Sequence, residues 1–243
     1  VQQLMNIVVV GGGPTGVELS GAIADMKKYV LPKDYPELDF TKMKIYLLEG
    51  TGKTLGNMSE KSSAESQRYL ENLGVTVLTN ALLQDYDGEK ITLKDGKTIA
   101  TRMVIWAAGI KGNVPQGIDK DLIARGNRIK IDRQCKVSGS NNIFAIGDVA
   151  YMEEPAWPNG HPQVAPVATQ MADMIANNLR SIEMKSNTKA LEEFVYHDKG
   201  SMATVGRNLA VVDMPKPKLH FKGFFAWMIW MGLHLMLILG VKN

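Results

Sequence analysis

A single six-residue turn carries glycines at the spacing G-x-G-x-x-G. It consists of Gly11, Gly12, Gly13, Pro14, Thr15 and Gly16. An apolar run over residues 5–10 precedes the turn, and an amphipathic pattern over residues 17–30 follows it. Between a strand and a helix, the first glycine permits the tight turn, the second lets N–H groups approach phosphates, and the third allows close packing. Because the helix N-terminus also favours an anion, the spacing predicts a cradle for the pyrophosphate of a dinucleotide.

A carboxylate follows the next apolar strand. This strand is predicted over residues 43–48 and ends at Glu49, where an acidic side chain can accept hydrogen bonds from a ribose and repel the 2′-phosphate of NADP. The position therefore favours NAD. The interval from the glycine turn exceeds the usual ~20 residues, so residues 29–40 must loop out. An ordinary exposed glutamate at a strand end is the alternative interpretation.

The elements that position these groups alternate as in an α/β domain. A helix is predicted from its N-cap, Ser59, to residue 72, with Gly74 at its end. A strand over residues 75–78 follows, and an apolar strand over residues 103–106 closes the unit. Turn residues separate three further short strands, over residues 82–86, 90–93 and 98–100. The pattern predicts a Rossmann-like parallel sheet with an antiparallel meander.

Composition narrows the classes of function. The 243 residues suffice for one large or two modest domains, and the net charge is only +3. Lys and Arg are scattered without interleaved aromatic residues, which argues against a nucleic-acid surface. The single cysteine, Cys135, excludes an internal disulfide and fits a reducing compartment. The four histidines have no ligand spacing, so no metal site is predicted.

A second glycine turn also ends a predicted strand. Apolar residues 144–146 lead into Gly147 and Asp148, which would place a carboxylate at the carboxyl edge of a sheet, within reach of the ribityl hydroxyls of a flavin. A helix is predicted to begin near Ala165 and to run towards Asn187. Its free N–H groups and positive dipole end suit the negatively charged edge of a reduced flavin.

Three motifs together carry a family resemblance. They are residues 11–18 (GGGPTGVE), 106–110 (WAAGI) and 144–150 (FAIGDVA). In order and spacing they resemble the two-dinucleotide-binding-domain flavoproteins and, within that superfamily, the type II (alternative, non-proton-pumping) NADH:quinone oxidoreductases. The resemblance implies FAD and NADH as cofactors, with an NADH domain inserted into an FAD domain.

The resemblance also implies a division of the chain. Residues 1–109 would form the NADH-binding domain and residues 110–187 the second part of the FAD-binding domain. Residues 188–243 would form a C-terminal hairpin and an apolar helix near the membrane and the quinone site. A first FAD half would precede residue 1, and membrane-docking helices would follow residue 243. The chain alone is therefore expected to be inactive.

Further site residues follow from the resemblance. Gly109 would contact NAD. Glu18, in the first turn of the predicted helix, would lie near the nicotinamide and the quinone. There it would position the nicotinamide or relay a proton to the quinone. The helix dipole alone also explains a carboxylate there. The family motif A-Q-x-A-x-Q corresponds to residues 165–170. Gln170 matches its second glutamine, beside the quinone, whereas Pro166 replaces the first and removes a side-chain donor.

An uncharged run of 18 residues, 224–241, lies near the C-terminus. Its length reaches the lower limit of the ~17–25 residues that cross a membrane. Aromatic and basic residues at its leading edge equally suit an interfacial helix or a buried helix over a quinone tunnel. An ordinary core helix is the remaining alternative.

The implied activity is that of a peripheral respiratory-chain flavoenzyme on the cytoplasmic face of the cell membrane. It would pass a hydride from NADH to FAD and two electrons to a membrane quinone without proton pumping, and a homodimer is compatible with the resemblance. Three alternatives stay open: a soluble NAD(P)H-dependent flavoprotein reductase of the disulfide-reductase type, a sulfide:quinone oxidoreductase, and a non-catalytic NADH-sensing module. The first should have a C-terminal His-Glu pair, and the second needs more cysteines than Cys135.

Overall fold

The structure is a computed structural model that describes residues 2–184 and 191–239. The chain divides into two compact units. The first unit combines Val1–Gly109 with Gly200–Asn243, and the second unit is Ile110–Lys199. The first unit carries the glycine turn, and the second carries the predicted flavin residues.

A parallel sheet of four strands forms the centre of the first unit, in the order β3-β2-β1-β7. Its strands are β1 (Asn6–Val10), β2 (Lys44–Leu48), β3 (Val75–Leu78) and β7 (Met103–Trp106). Val8 pairs with Tyr46 on one side and with Val104 on the other. Strand β1 has a neighbour on each side and is almost entirely buried. Its carboxyl end leads directly into the glycine turn.

The two faces of this sheet are covered differently. One face carries the predicted meander of β4 (Leu83–Tyr86), β5 (Lys90–Leu93) and β6 (Thr98–Ala100). Ile91 and Leu93 of the meander form a buried cluster with Val8, Val10 and Leu48 of the sheet. The other face packs against helices α2 (Pro14–Asp25) and α4 (Glu60–Asn72). These observations confirm the predicted α/β fold.

The long interval before Glu49 is taken up by helical turns. The short helix α1 (Gln2–Met5) precedes β1, and after α2 the chain continues through a π-helical turn, Met26–Val30, and helix α3 (Leu31–Asp34). A 3₁₀ turn, Phe40–Lys42, leads into β2. The segment thus leaves the sheet and returns to it, as the assignment of Glu49 to the tip of β2 requires.

The C-terminal residues of the first unit form a separate antiparallel sheet. Its strands are β11 (Ser201–Thr204), β12 (Ala210–Pro215) and β13 (Lys218–Lys222), and helix α6 (Gly223–Leu239) follows. Gly21 of α2 packs directly on the backbone of Gly206, where a Cβ atom would overlap the Gly206 amide. No helix in the described ranges has the length and apolarity that a membrane crossing needs. The last predicted residues of the apolar run, 240–241, lie outside the described residues.

The second unit contains little regular structure. Its elements are β8 (Ile123–Ala124), β9 (Arg128–Lys130), β10 (Ala150–Tyr151), helix α5 (Ala165–Glu183) and two 3₁₀ turns, Lys120–Leu122 and Gly147–Val149. Val167, Met171 and Met174 of α5 are buried with Phe194. The predicted end of α5, near residue 187, lies outside the described residues.

The buried strand predicted over residues 144–146 is wrong. Phe144 makes a single bridge to Lys136, and Ile146 is 37% exposed. The Ala145 amide donates to Cys135 O at 3.0 Å and the Val137 amide donates to Ile143 O at 2.9 Å, so the run makes an isolated antiparallel bridge in place of the predicted strand.

Candidate functional site

The glycines of the first turn have three distinct surroundings. Gly11 has a φ of +109°, and a Cβ on it would lie 2.5 Å from the carbonyl oxygen of Ala107. A Cβ on Gly16 would overlap the carbonyl oxygen of Gly11. By contrast, no atom lies within 4 Å of where a Cβ of Gly13 would be. The turn is therefore closed on the protein side and open above Gly13.

The backbone amides of this turn have few acceptors within the protein. The Gly11 amide donates to Leu48 O at 2.7 Å, and the Val17 amide donates to Gly13 O at 3.0 Å. The amides of Gly13, Thr15 and Gly16 belong to the cap and first turn of α2, where a helix supplies no acceptor of its own. Pro14 and Thr15 are exposed. This end of α2 can accept an oxyanion.

Glu49 lies immediately beside the turn. Its Oε2 accepts from the Gly12 amide at 2.6 Å, and its Oε1 accepts from the amide and the hydroxyl of Thr51 at 2.7 and 2.8 Å. Three donors therefore hold the carboxylate in one orientation. Each carboxylate oxygen can accept two hydrogen bonds, so Oε2 still has capacity for a ligand hydroxyl. Thr51 was not predicted from the sequence.

Glu18 lies one turn later in its helix than predicted. Helix α2 begins at Pro14, and its first turn contains no acidic residue. Glu18 is the fifth residue of the helix and lies beyond that turn. The dipole effect falls off within that turn, so the helix dipole explains Glu18 poorly. Its Oε1 instead accepts from the amide of Thr204 in β11 at 3.1 Å. That link joins residues 186 positions apart, and no local sequence signal indicates it.

The carboxyl end of β7 lies beside the same turn. Val10 pairs with Trp106, which is 63% exposed, and the Ala107 amide donates to Val10 O at 2.7 Å. Gly109 has a φ of +98° with no atom within 4 Å of an added Cβ. An open backbone follows β7 at the edge of the sheet where α/β folds bind ligands.

The predicted flavin residues come together within the second unit. Gly147 has a φ of +65°, and a Cβ on it would lie 3.1 Å from the Cβ of Ala168 in the first turn of α5. The carbonyl oxygen of Asp148 accepts from Gln163 Nε2 at 2.9 Å. Asp148 and Ala165, which begins α5, are both exposed. The amides of Val167 and Ala168 already donate to Val164 O, and Pro166 has no N–H, so the Ala165 amide is the donor that this helix start offers. Together with the exposed Asp148 carboxylate and the positive end of α5, it fits the hydroxyls and anionic edge of a flavin.

Gln170 bonds to the protein at both ends of its amide. Its Nε2 donates to His197 O at 3.1 Å, and its Oε1 accepts from the His197 amide at 2.9 Å. Asn178, two turns further along α5, holds the backbone of Glu192 in the same way. Gln170 therefore keeps one N–H for any ligand. Pro166 lies in the first turn of α5, where a proline is compatible with a helix.

A buried polar cluster in the second unit was not predicted. His161 Nε2 lies 3.2 Å from Glu154 Oε1, and Glu154 also bonds to Arg133. Arg128 donates to Ala150 O at 2.8 Å and to His161 O at 2.9 Å. Burial lowers the pKa of His161 to about 4, so its ring is neutral at pH 7. A cavity of about 370 Å³ adjoins the cluster.

The single cysteine has no reactive character. Burial raises the pKa of the Cys135 thiol to about 12, with the charge of Asp132 acting in the same direction. The thiolate is the nucleophile in cysteine chemistry. Cys135 is therefore a buried apolar residue rather than a redox group.

Curated relatives share most of this chain. It is 34% identical to the type II NADH:quinone oxidoreductase Ndh of Mycobacterium tuberculosis, over 99% of this chain and 52% of that protein. It is 28% identical to an internal alternative NAD(P)H-ubiquinone oxidoreductase of Solanum tuberosum, over 100% of this chain and 50% of that protein. The chain thus spans about half the length of the curated relatives it matches. These matches confirm the predicted resemblance.

Solved structures and a family model agree with these relatives. The structure of NDH2 from Plasmodium falciparum in complex with NADH matches with a TM-score of 0.86 at 22% identity. The match covers 97% of this chain and 62% of that one, and it shows the shared fold. The family model described as pyridine nucleotide-disulphide oxidoreductase matches residues 1–172 of this chain. The chain belongs to the pyridine nucleotide-disulphide oxidoreductase family.

Proposed function

We propose that the chain is part of an NADH dehydrogenase (quinone), which moves a hydride from NADH to FAD and two electrons onward to a membrane quinone without proton pumping. The observation that carries the proposal is the amide turn that opens above Gly13, with the Glu49 carboxylate fixed beside it. The relatives named as NADH:quinone oxidoreductases supply the reaction class.

The first unit would bind NADH. The amides of Gly13, Thr15 and Gly16 would hold the pyrophosphate, because they combine free donors with the positive end of α2. The tight turn at Gly11 and the ring of Pro14 shape this end of the helix. Glu49 Oε2 would accept a ribose hydroxyl. Gly109 would let the rest of the dinucleotide approach the backbone at the sheet edge.

The second unit would hold one side of FAD. Asp148 would accept hydrogen bonds from the ribityl chain, the positive φ of Gly147 turns the chain at that point, and the amide of Ala165 would face the pyrimidine edge. When bound, FAD accepts a hydride and releases electrons one or two at a time, which lets a nicotinamide react with a quinone.

Glu18 and Gln170 are the proposed catalytic residues. One oxygen of Glu18 is held by Thr204, so the second would orient the nicotinamide or hold a proton for the quinone. Gln170 would donate its remaining N–H to a quinone oxygen, with its orientation fixed by His197. Both side chains are oriented by backbone groups, which is how a catalytic group is kept in one position.

The proposal also assigns roles to the three segments of the chain. Residues 1–109 would be the NADH domain, residues 110–187 the returning part of the FAD domain, and residues 188–243 the quinone-side and membrane-side segment. Helix α6 exposes Phe224 and Phe225 and carries no charged side chain. We infer peripheral attachment to the cytoplasmic face of the cell membrane through this region. Assembly as a homodimer is part of the same proposal.

The nucleotide preference tests the proposal directly. Trp106 pairs with the residue before the turn and is exposed, so its fluorescence should report binding during titration with NADH or NADPH. NADH should bind more tightly than NADPH. Glu49→Gln should weaken NADH binding by roughly tenfold and reduce the preference for NADH over NADPH. Glu37→Gln, an exposed glutamate in the helical excursion, is the matched control. Equal affinity for both nucleotides in the wild type contradicts the role of Glu49.

The reaction class needs a second measurement. The full-length protein should oxidise NADH with a soluble quinone in steady state, and Glu18→Gln and Gln170→Ala should lower kcat more than they raise KM. NADH binding without any turnover would contradict the enzyme and favour the sensing module.

A further inference from the structure

A cavity of about 450 Å³ lies in the first unit beside the start of α6. It opens between the first two turns of α4 and the last strand of the C-terminal sheet. Its lining consists of Lys61, Ala64, Glu65, His220 and Lys222. Lys222 directly precedes Gly223, the first residue of α6. The last residue of the cavity lining is therefore adjacent in sequence to the apolar helix.

The cavity carries more positive than negative charge. Lys222 Nζ bonds to Glu65 Oε1 at 2.5 Å, and Glu65 Oε2 accepts from Arg68 at 2.5 Å. Lys61 is exposed, and within the described ranges it has no carboxylate within salt-bridge distance. Lys222 and Arg68 thus share the Glu65 carboxylate, and Lys61 adds a further cation, so an anion entering the cavity would find uncompensated positive charge.

The remaining polar group of the lining is already oriented. His220 Nδ1 lies 3.1 Å from Asp213 Oδ1 and 3.2 Å from Ser62 Oγ. These contacts hold one edge of the ring against the protein. The lining therefore combines the exposed Lys61, the Lys222 ammonium held by Glu65, and one fixed imidazole ring.

The surroundings of the cavity indicate which anion fits. Phe224 and Phe225, at the start of α6, are 57% and 60% exposed, and Met228 one turn later is 54% exposed. Lys216, in the turn between β12 and β13, and Lys218, at the start of β13, are exposed. Large apolar side chains next to clustered lysines are typical of a helix that lies in a membrane interface and attracts anionic lipid.

We propose that this cavity binds the phosphate of an anionic phospholipid headgroup while the exposed residues of α6 enter the lipid. The inference rests on the proposed attachment to a membrane and adds a lipid class and a site to it. Lys61 and Lys222 neutralise the phosphate as point charges. Helix α6 supplies the apolar contact, so the lipid is held by its headgroup and its chains together.

Vesicle partitioning of the purified chain tests the inference. Vesicles of phosphatidylcholine alone are compared with vesicles that also contain phosphatidylglycerol. The chain should partition more strongly onto the anionic vesicles, and Lys61→Ala should lower that partitioning by about fivefold without changing the zwitterionic case. Lys94→Ala, which removes an exposed lysine of the distant meander, is the control and should have no effect.

A gain of binding provides the sharper arm. Glu65→Gln removes the only carboxylate of the lining and frees Lys222, so binding to anionic vesicles should rise by about fivefold. A misfolded variant that exposes its core would also gain binding to the phosphatidylcholine vesicles, so the rise should be confined to the anionic ones. If wild type, Lys61→Ala and Glu65→Gln bind anionic vesicles equally, the cavity assignment is wrong while membrane attachment stands. If the chain binds neither kind of vesicle, both the cavity assignment and the membrane attachment are wrong. If inorganic phosphate competes for the cavity and the chain shows no preference for anionic lipid, the cavity binds a free anion and the proposed lipid is wrong.

Discussion

At the residue scale, the glycines of the turn make separable predictions. Gly13→Ala adds a Cβ into open space, and the backbone there, with a φ of −70°, suits alanine. We expect its melting temperature to be unchanged and its NADH affinity to fall, because the methyl group occupies the approach of the pyrophosphate. Gly16→Ala instead overlaps the Gly11 carbonyl and should cost about 3 kcal/mol or more in the free energy of unfolding. Thermal melts and NADH titrations check both.

The control for these variants is Gly232→Ala. Among the described residues, Gly232 also has no atom within 4 Å of an added Cβ, and it lies in helix α6 rather than in the glycine turn or the loop that follows Glu49. It should leave NADH binding unchanged and should not lower stability. A Gly13→Ala variant that binds NADH as wild type does would show that the pyrophosphate lies elsewhere.

His161 predicts a dependence of stability on pH. Burial holds its pKa at about 4 in the folded chain, below the 6.5 of a free histidine. Between these values the unfolded chain binds more protons, so stability should fall as pH drops from 6.5 towards 4, by up to about 1.4 kcal/mol per pH unit. Denaturant unfolding at pH 7 and pH 5 measures the change. His161→Gln should remove this part of the slope, and His197→Gln, an exposed histidine, should leave it intact.

Local chemistry explains which residues could be predicted. Gly11 and Gly16 have the close backbone neighbours predicted for them, because the strand–turn–helix of the motif determines those surroundings almost alone. Glu49 reaches the turn only because the chain returns to the sheet as β2. The bond from Thr204 to Glu18 and the hold of Gln170 on His197 depend on chain segments that return from far away. No spacing in the sequence indicates those partners.

At the element scale, the start of α4 depends on a carboxylate from another sheet. Ser59 caps the helix as predicted, and Asp213 of β12 accepts from both the amide and the hydroxyl of Ser59, at 2.8 and 2.9 Å. The Ser62 hydroxyl also donates to it at 2.9 Å. Asp213→Ala should therefore destabilise the first unit by about 2 kcal/mol, because three donors at the start of α4 lose one charged acceptor. Chemical denaturation measures the loss.

The comparison variant for this cap is Asp95→Ala. Asp95 also accepts from a backbone amide, that of Lys97, but it does so within a single exposed turn of the meander, so its loss should cost far less. Equal effects of the two substitutions would show that Asp213 does not stabilise the start of α4.

Elements differ in how far periodicity specifies them. Helix α4 and strand β3 were predicted closely because each has a cap or a turn residue at its ends, including Gly74 with a φ of +87°. Residues 144–146 have the same apolar character as a strand but form one isolated bridge, between Phe144 and Lys136. Apolar character alone does not extend such a bridge into a strand.

At the scale of the whole molecule, the order of the sequence conceals how the first unit is composed. Residues 200–243 belong to the same compact unit as residues 1–109. Val211 of β12 and Ala203 of β11 are buried in the same cluster as Val17 and Leu70 of the two helices. A sequence read in order predicts the helices and strands, but it does not show that this late segment packs on the opening βα unit.

This composition predicts where a bound nucleotide stabilises the chain. NADH at one hundred times its dissociation constant should add about 2.7 kcal/mol to the state that binds it. Since the turn and β1 belong to the first unit, amide hydrogen exchange should slow in β1, β2 and β12, which unfold with it, and should stay unchanged in β9 of the second unit. The measurement is exchange followed by mass spectrometry with and without NADH. Protection confined to β9, or equal in both units, would place the nucleotide outside the turn that Gly11 begins.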